Sequence, residues 1–331
     1  KLPHIDELYV ATDVSVSERG DVFVLGKVFN DRVKDKVKGE PNYKYEITSY
    51  SGRSINPVKY SMSLGDKFLQ NMKLEISKDN SLICTGFYGE MGAYSIKGCY
   101  FMIVDSETKQ ITKRSFKDFS VDFMLQDLSA KEEKKAKKKV EKGKDYELYN
   151  YDLKDLVATE DGSFYMIAEN NYVDVVTSMR TDANGVTYTT TTYYYNNNMM
   201  LVIKISKEGN IEWMDKIVKR QRVANTDDYN SYALFVKDNQ LYFIFNDREE
   251  NMLYQGDGKI KGFRGRSKTA VVTVVEMSPN GDQNRKVLFD SREERRLLKP
   301  NINYQPITDR DEAYLFGAYG KKNSMITLKL K

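Results

Sequence analysis

Apolar and polar residues alternate along most of this chain in short runs of about six to eight, the repeat of half-buried β-strands. Five runs share one form, a polar turn followed by a hydrophobic strand. They are Arg19-Gly-Asp-Val-Phe-Val-Leu-Gly26, Asp79-Asn-Ser-Leu-Ile-Cys-Thr-Gly86, Asp161-Gly-Ser-Phe-Tyr-Met-Ile-Ala168, Asp238-Asn-Gln-Leu-Tyr-Phe-Ile-Phe245 and Arg310-Asp-Glu-Ala-Tyr-Leu-Phe-Gly317. A third strand follows each, and then, in all but the last unit, a polar turn and a shorter fourth strand. In the third unit these are Met200 to Ser206, the turn Glu208-Gly209-Asn210, and Ile211 to Ile217. Glycine paired with Asn, Asp or Glu between apolar strands marks a hairpin, because glycine tolerates the positive φ of a tight turn.

A repeated unit that cannot bury its own faces must stack on its neighbours. Four antiparallel strands per unit is the pattern of a β-propeller blade. The expected fold is therefore all-β, a β-propeller of four-stranded antiparallel blades, about five of them in this chain, forming one domain over residues 1–331. Two closures fit: a five-bladed ring whose last blade is incomplete, or the C-terminal part of a larger ring of about six to eight blades. The first unit shows no strand ahead of its turn, and the fifth stops after its third.

Equivalent turn positions fall at Gly20, Asn80, Gly162, Asn239 and Asp311. This spacing exceeds the roughly 40 to 50 residues of a bare blade, so the surplus belongs to insertions. Residues 129–143 carry a Ser129/Glu132 capping box, a lysine run and a terminal Gly143, and predict a short solvated helix. Residues 170–199 lengthen the middle hairpin of the third unit into an arm rich in Thr, Tyr and Asn. Residues 255–268 predict a flexible loop; its glycines lack the GxxxxGK[ST] spacing of a phosphate cradle.

Charge changes the picture only locally. The net charge is +4, but both basic clusters lie in insertions, residues 129–144 and 255–268, and the remaining body is mildly acidic. A nucleic-acid binder spreads basic charge over one face of its fold, so nucleic acid is not the expected partner.

Candidate chemistry is sparse. His4 is the one histidine, at the N-terminal end, which removes His-dependent nucleophilic mechanisms and His-rich metal sites. No catalytic residue, metal ligand or cofactor site is assigned. The acidic residues Asp79, Asp161, Asp238 and Asp309 sit in hairpin turns, where a turn role accounts for them. Cys84 and Cys99 fall on strands expected to be neighbours; a cross-strand disulfide and two buried free thiols both fit, the thiols being the more usual arrangement. No apolar run approaches the roughly 20 residues of a membrane-spanning helix, and the chain opens without a signal peptide. The candidate contact residues are Tyr188, Tyr193, Tyr194, Tyr195 and Asn197 on the arm, since tyrosine and asparagine offer rigid area and hydrogen bonds to protein or glycan partners.

The segment from Met199 to Lys216, with its V-x-K-x strand, its Gly209-Asn210 turn and Trp213 on the following strand, resembles the repeats of bacterial β-propeller proteins. The resemblance is close in the third unit and loose elsewhere. It implies an exported protein, periplasmic, outer-membrane-associated or extracellular, acting as a non-catalytic scaffold that binds a protein or glycan. The alternative is a carbohydrate-active hydrolase using Asp and Glu residues in the propeller funnel.

Overall fold

The computed structural model describes residues 8–52, 56–77, 79–126, 148–254, 260–265, 270–304, 312–320 and 322–329, with residues 128, 133, 134, 136–138 and 141 between. The chain divides into two compact units. One comprises residues 1–126, 132–168 and 202–214; the other comprises residues 127–131, 169–201 and 215–331.

The first unit opens with strands β1 (Tyr9–Val16), β2 (Val22–Phe29), β5 (Tyr43–Tyr50) and β6 (Val58–Met62), in the order β1-β2-β5-β6. A small hairpin, β3 (Lys36–Val37) with β4 (Glu40–Pro41), interrupts the second connection. The first unit thus does have a strand ahead of its turn. β1 runs through Tyr9-Val-Ala-Thr-Asp-Val-Ser-Val16, a weak pattern because its side chains are mostly exposed.

The second sheet has the order β11-β10-β9-β7 and contains β7 (Lys67–Leu69), β8 (Lys73–Ile76), β9 (Leu82–Glu90), β10 (Gly98–Val104) and β11 (Ile111–Asp118). Strands β7 and β8 both pair with β9, so one blade strand is split in two. A short helix, α1 (Val121–Leu125), follows, capped by the Ser120 hydroxyl. β9 and β10 are buried on both faces and therefore read as continuous apolar runs. An aromatic core joins the first two sheets, with Phe23, Tyr45 and Ile47 of one packed in a cluster with Leu82, Tyr100 and Met102 of the other.

The third sheet has the order β12-β13-β14-β15, from β12 (Tyr151–Ala158), β13 (Phe164–Thr181), β14 (Thr187–Ile205) and β15 (Ile211–Ile217). β16 (Gln221–Ala224) adds to β14 along Tyr194 to Asn197. In the second unit, β17 (Ala233–Lys237), β18 (Gln240–Arg248), β19 (Ala270–Met277) and β20 (Gln283–Asp290) form a sheet in sequential order. The last sheet is β21 (Leu297–Tyr304), β22 (Glu312–Tyr319) and β23 (Lys322–Lys329). Phe235, Ile244 and Val272 of the fourth sheet share a core cluster with Leu298, Ala313 and Leu315 of the fifth. Successive antiparallel sheets in sequential strand order, packed through apolar faces, make this an all-β fold of the β-propeller class with four-stranded blades.

The repeated turns share a left-handed residue at the equivalent position. Gly20, Asn80, Gly162 and Asn239 all have left-handed backbone, with φ of 83°, 67°, 83° and 60°. In three of them a Ser or Thr three residues earlier anchors the loop, the amides of Gly20, Asn80 and Gly162 donating to the carbonyls of Ser17, Ser77 and Thr159. The corresponding turn of the fifth unit, with Asp309 and Asp311, lies outside the described residues.

Four features of the sequence take definite form: Trp213, the two cysteines, the 255–268 loop and the lysine insertion. Trp213 sits on β15, the outermost strand of its sheet, and is half-buried against Tyr165 with ring centroids 5.9 Å apart. Its neighbours Leu201, Ile203, Ile205 and Phe164 are buried. Cys84 and Cys99 are both free and buried, and no disulfide can join them. Cys84 lies opposite Met102 and Cys99 opposite Phe87, so the two thiols point to opposite faces of the sheet. Part of the loop at 255–268 is anchored: Phe263 is buried, its amide donates to the Arg220 carbonyl at 2.9 Å and its carbonyl accepts from the Arg222 amide at 2.9 Å. Within the lysine insertion, residues 133, 134 and 136–138 are helical, Lys137 pairs with Glu133 at 2.6 Å, and Ala136 is buried.

Candidate functional site

Strands β13 and β14 are 18 and 19 residues long, while β12 has 8 and β15 has 7. Their outer halves therefore run on as a two-stranded arm. Its tip is a turn in which the Asp182 carboxylate accepts from the amides of Asn184 and Val186, at 2.9 and 3.0 Å. Cross-strand contacts fix the register: Asn170 with Asn198 at 3.2 Å, Thr177 with Thr191 at 3.4 Å and Thr181 with Thr187 at 3.0 Å. All three share one alignment, which places Val175 opposite Tyr193 and Val173 opposite Tyr195.

Side chains alternate across such a ribbon. Val173, Val175, Thr177 and Met179 share one face with Tyr193 and Tyr195. Tyr172, Asp174, Val176, Ser178 and Arg180 share the other with Tyr188 and Tyr194. Val175 is 59%, Met179 76% and Tyr193 47% exposed. Tyr188 is exposed and donates to Asp182 at 3.2 Å. Tyr194 is half-buried beneath the Arg222 guanidinium, 4.2 Å above its ring, and Arg222 pairs with Asp174 at 3.4 Å. Tyr195 is half-buried, and its carbonyl accepts from Asn230 at 2.9 Å. Asn197 lies at the arm's root, 6% exposed, with its amide on Glu169 at 2.8 Å. The structure thus brings Tyr193 and the valines together as an open face, places Tyr188 near the tip, and buries Asn197 below.

The root is held by a sealed polar cluster. Lys219 pairs with Glu169 at 2.6 Å, both side chains fully buried. Ser231 donates to Glu169 at 2.8 Å, and Lys219 also donates to the Asn197 carbonyl at 3.0 Å and to Gln221 at 2.9 Å. Gln221 in turn donates to the Asn246 carbonyl at 2.9 Å, and Asn246 donates to the Leu298 carbonyl at 2.8 Å. A second carboxylate, Asp247, accepts from Asn251 at 2.6 Å and pairs with Arg285 at 3.4 Å. Burial pushes the Asp247 carboxyl above its ordinary value, with Arg285 opposing. These buried carboxylates are occupied by partners and have no surface for a substrate. The sequence signal for Glu169 is its place at the end of the apolar run Phe164 to Ala168; for Lys219, its place after Ile217-Val218.

Among the described residues, no three or more His, Cys, Asp and Glu side chains are grouped to hold a metal ion. No described helix is long and apolar enough to cross a membrane. No family model matches the chain, and no curated protein matches it. Solved structures similar to this chain include two whose matches span almost all of it. One is the beta-propeller domain of the Trilobed protease from Pyrococcus furiosus, described as having an open velcro topology; it is 8% identical, with 97% of this chain and 93% of that chain covered, at a TM-score of 0.23. The other is xylan beta-1,4-xylosidase from Bacillus halodurans C-125, 7% identical, with 99% of this chain and 80% of that chain covered, at a TM-score of 0.28. At these scores the assignment to the propeller class rests on the sheets themselves.

Proposed function

We propose that this chain is a non-catalytic β-propeller scaffold that binds a protein or glycan partner through the projecting arm. The observation that carries the reading is the arm's open face, where Val175, Met179 and Tyr193 are exposed on a ribbon whose root is braced by buried charge. Exposed apolar groups rimmed by hydroxyls are costly to leave in water without a use, and tyrosine supplies area with little rotamer entropy to lose. The reading places the protein at the bacterial cell envelope, on the resemblance of its third repeat to exported propellers.

The test removes residues 175–193 and closes Asp174 to Tyr194, its cross-strand partner, with Asn-Gly. Keeping Tyr194 to Asn197 preserves their pairing with β16. A photo-crosslinking residue at position 193 of the intact chain, activated in cells, should capture an envelope protein or polysaccharide, and a glycan array should lose its signal with the trimmed chain. Crosslinks to nothing but solvent, together with unchanged array binding by the trimmed chain, would reject the arm as the binding site. A carboxylate-dependent glycosidase activity in the trimmed chain would favour the hydrolase instead.

A further inference from the structure

Among the described residues, no strand covers the outer edge of β13 along the arm. β12 joins β13 through the turn at residues 159–163, where the Thr159 amide donates to the Ser163 carbonyl, and it is 8 residues long. Its reach therefore ends near Asn171. Among the described residues, no strand pairs with β13 on that side from Val173 to Thr181. The opposite edge of the arm is partly occupied: β16 pairs with Tyr194 to Asn197, and Asn225 bonds the Tyr193 backbone in both directions, at 2.7 and 3.1 Å.

An open strand edge presents a row of unpaired amides and carbonyls, and proteins ordinarily blunt such edges with lysine, proline or a bulge. This edge has none of them. Residues 173–181 contain no Lys and no Pro, and the single register from Asn170 to Thr181 leaves no room for a bulge. Val173, Val175, Val176, Thr177 and Thr181 favour strand.

The sequence of the edge is complementary to itself. Asp174 and Arg180 are the only charges in it and stand three positions to either side of Thr177. In an antiparallel pairing centred on Thr177, Asp174 meets Arg180 of a second copy and Arg180 meets Asp174 of that copy. Val175 meets Met179 of the second copy, on the same face. Opposite charges and apolar pairs directly across a ladder are the favourable combinations, and like charges the unfavourable ones.

We infer that the β13 edge pairs antiparallel with the β13 edge of a second copy of this chain, about a two-fold axis at Thr177. The four strands of two arms become one sheet, and Val175 of each copy stands beside Met179 of the other on the face they share with Tyr193. An isologous contact of this kind closes at two copies and uses up the β13 edge of each. The inference rests on the arm being a contact element, but it uses the backbone edge of β13, whereas partner binding uses the side chains of the face that carries Tyr193, Val175 and Met179.

Two measurements test it. Thr177→Cys should form a disulfide-linked dimer under mild oxidation, since directly opposed residues lie about 4.5 to 5.5 Å apart between Cα atoms. The native thiols are buried and stay silent. Val175→Cys or Met179→Cys alone should not crosslink, while a mixture of the two should. By sedimentation, Arg180→Asp should weaken self-association about tenfold or more by placing Asp opposite Asp, and mixing it with Asp174→Lys should restore a heterodimer. A wild type that stays monomeric throughout, or equal crosslinking at positions 175, 177 and 179, would overturn the proposal. A Thr177 disulfide with no capture at position 193 would instead sink the proposed partner binding and leave the pairing standing.

Discussion

The Nζ of Lys219 lies 2.6 Å from Oε1 of Glu169, and neither side chain is exposed. A buried pair of this kind is costly to break singly, because the survivor stays charged without its counter-ion. Lys219→Met should therefore destabilise the protein by about 3 to 5 kcal/mol. Adding Glu169→Gln should recover most of that loss, since a neutral amide can still meet Asn197 and Ser231. Denaturant unfolding of the single and double variants measures the coupling; equal stabilities for both would mean the pair does not brace the arm.

Residues on the arm should separate into two kinds. Tyr193→Ala, on the open face, should change stability by less than about 0.5 kcal/mol. Asn197→Ala takes a buried donor from Glu169 and should cost about 1 to 3 kcal/mol. Thermal melts of the two variants decide this, and a reversed order would show that the arm packs differently.

Trp213 offers a test of its edge position. Complete removal of a buried tryptophan side chain costs about 3 to 5 kcal/mol. Half-burial on β15 should bring Trp213→Ala to roughly half of that. Ile203→Ala, at a fully buried position of the same sheet, should cost about 2 to 5 kcal/mol. A larger loss at Trp213 than at Ile203 would contradict the strand order.

The two thiols should be inert in the native state. Burial pushes both the Cys84 and Cys99 thiols up to about 12, so neither supplies thiolate at neutral pH. Both should react with a disulfide reagent only after unfolding, and oxidation should leave no internal crosslink. Rapid native labelling of either one would count against the register of β9 and β10.

Acid should protonate the buried Asp247 carboxylate before the turn carboxylates. The Asp161 carboxyl is held below its ordinary value of 3.8 by the Thr159 hydroxyl, and the Asp79 carboxyl by the Ser77 hydroxyl, with backbone amides of Ser163 and Ser81 assisting. A folded value below the unfolded one stabilises the protein fully above about pH 4, and this is lost as pH falls through the folded value. Asp247 has the opposite sign: its folded value lies above 3.8, so ionising it opposes folding above that folded value and the opposition vanishes below the unfolded one. Carboxyl-carbon NMR titration should find Asp161 and Asp79 below 3.8 and Asp247 above it. Asp161→Asn should flatten the acid side of the stability profile.

Strand identity, hairpin turns and the blade repeat were legible in the sequence, because they depend on side-chain alternation and on backbone that only a few residues tolerate. Gly20, Asn80 and Gly162 take left-handed φ wherever the chain is read, and runs such as Leu82 to Phe87 announce two buried faces. β1 is not legible in the sequence because an edge strand that buries little need not alternate cleanly, nor is the split of β7 from β8, because strands of three and four residues carry too little pattern. Trp213 shows the other limit: its hydrophobicity predicts burial, but the position of β15 at the sheet's outer side decides how much of the ring is covered. The arm's length was visible in its residue count, and its Tyr-rich strand in its composition. Which tyrosines face water, and that Asn197 turns inward to Glu169, depend on register and on Lys219 and Ser231 arriving from elsewhere in the chain. A sequence fixes local conformation through nearest neighbours; ion pairs and exposed faces arise between residues brought together by folding, and only the tertiary structure decides them.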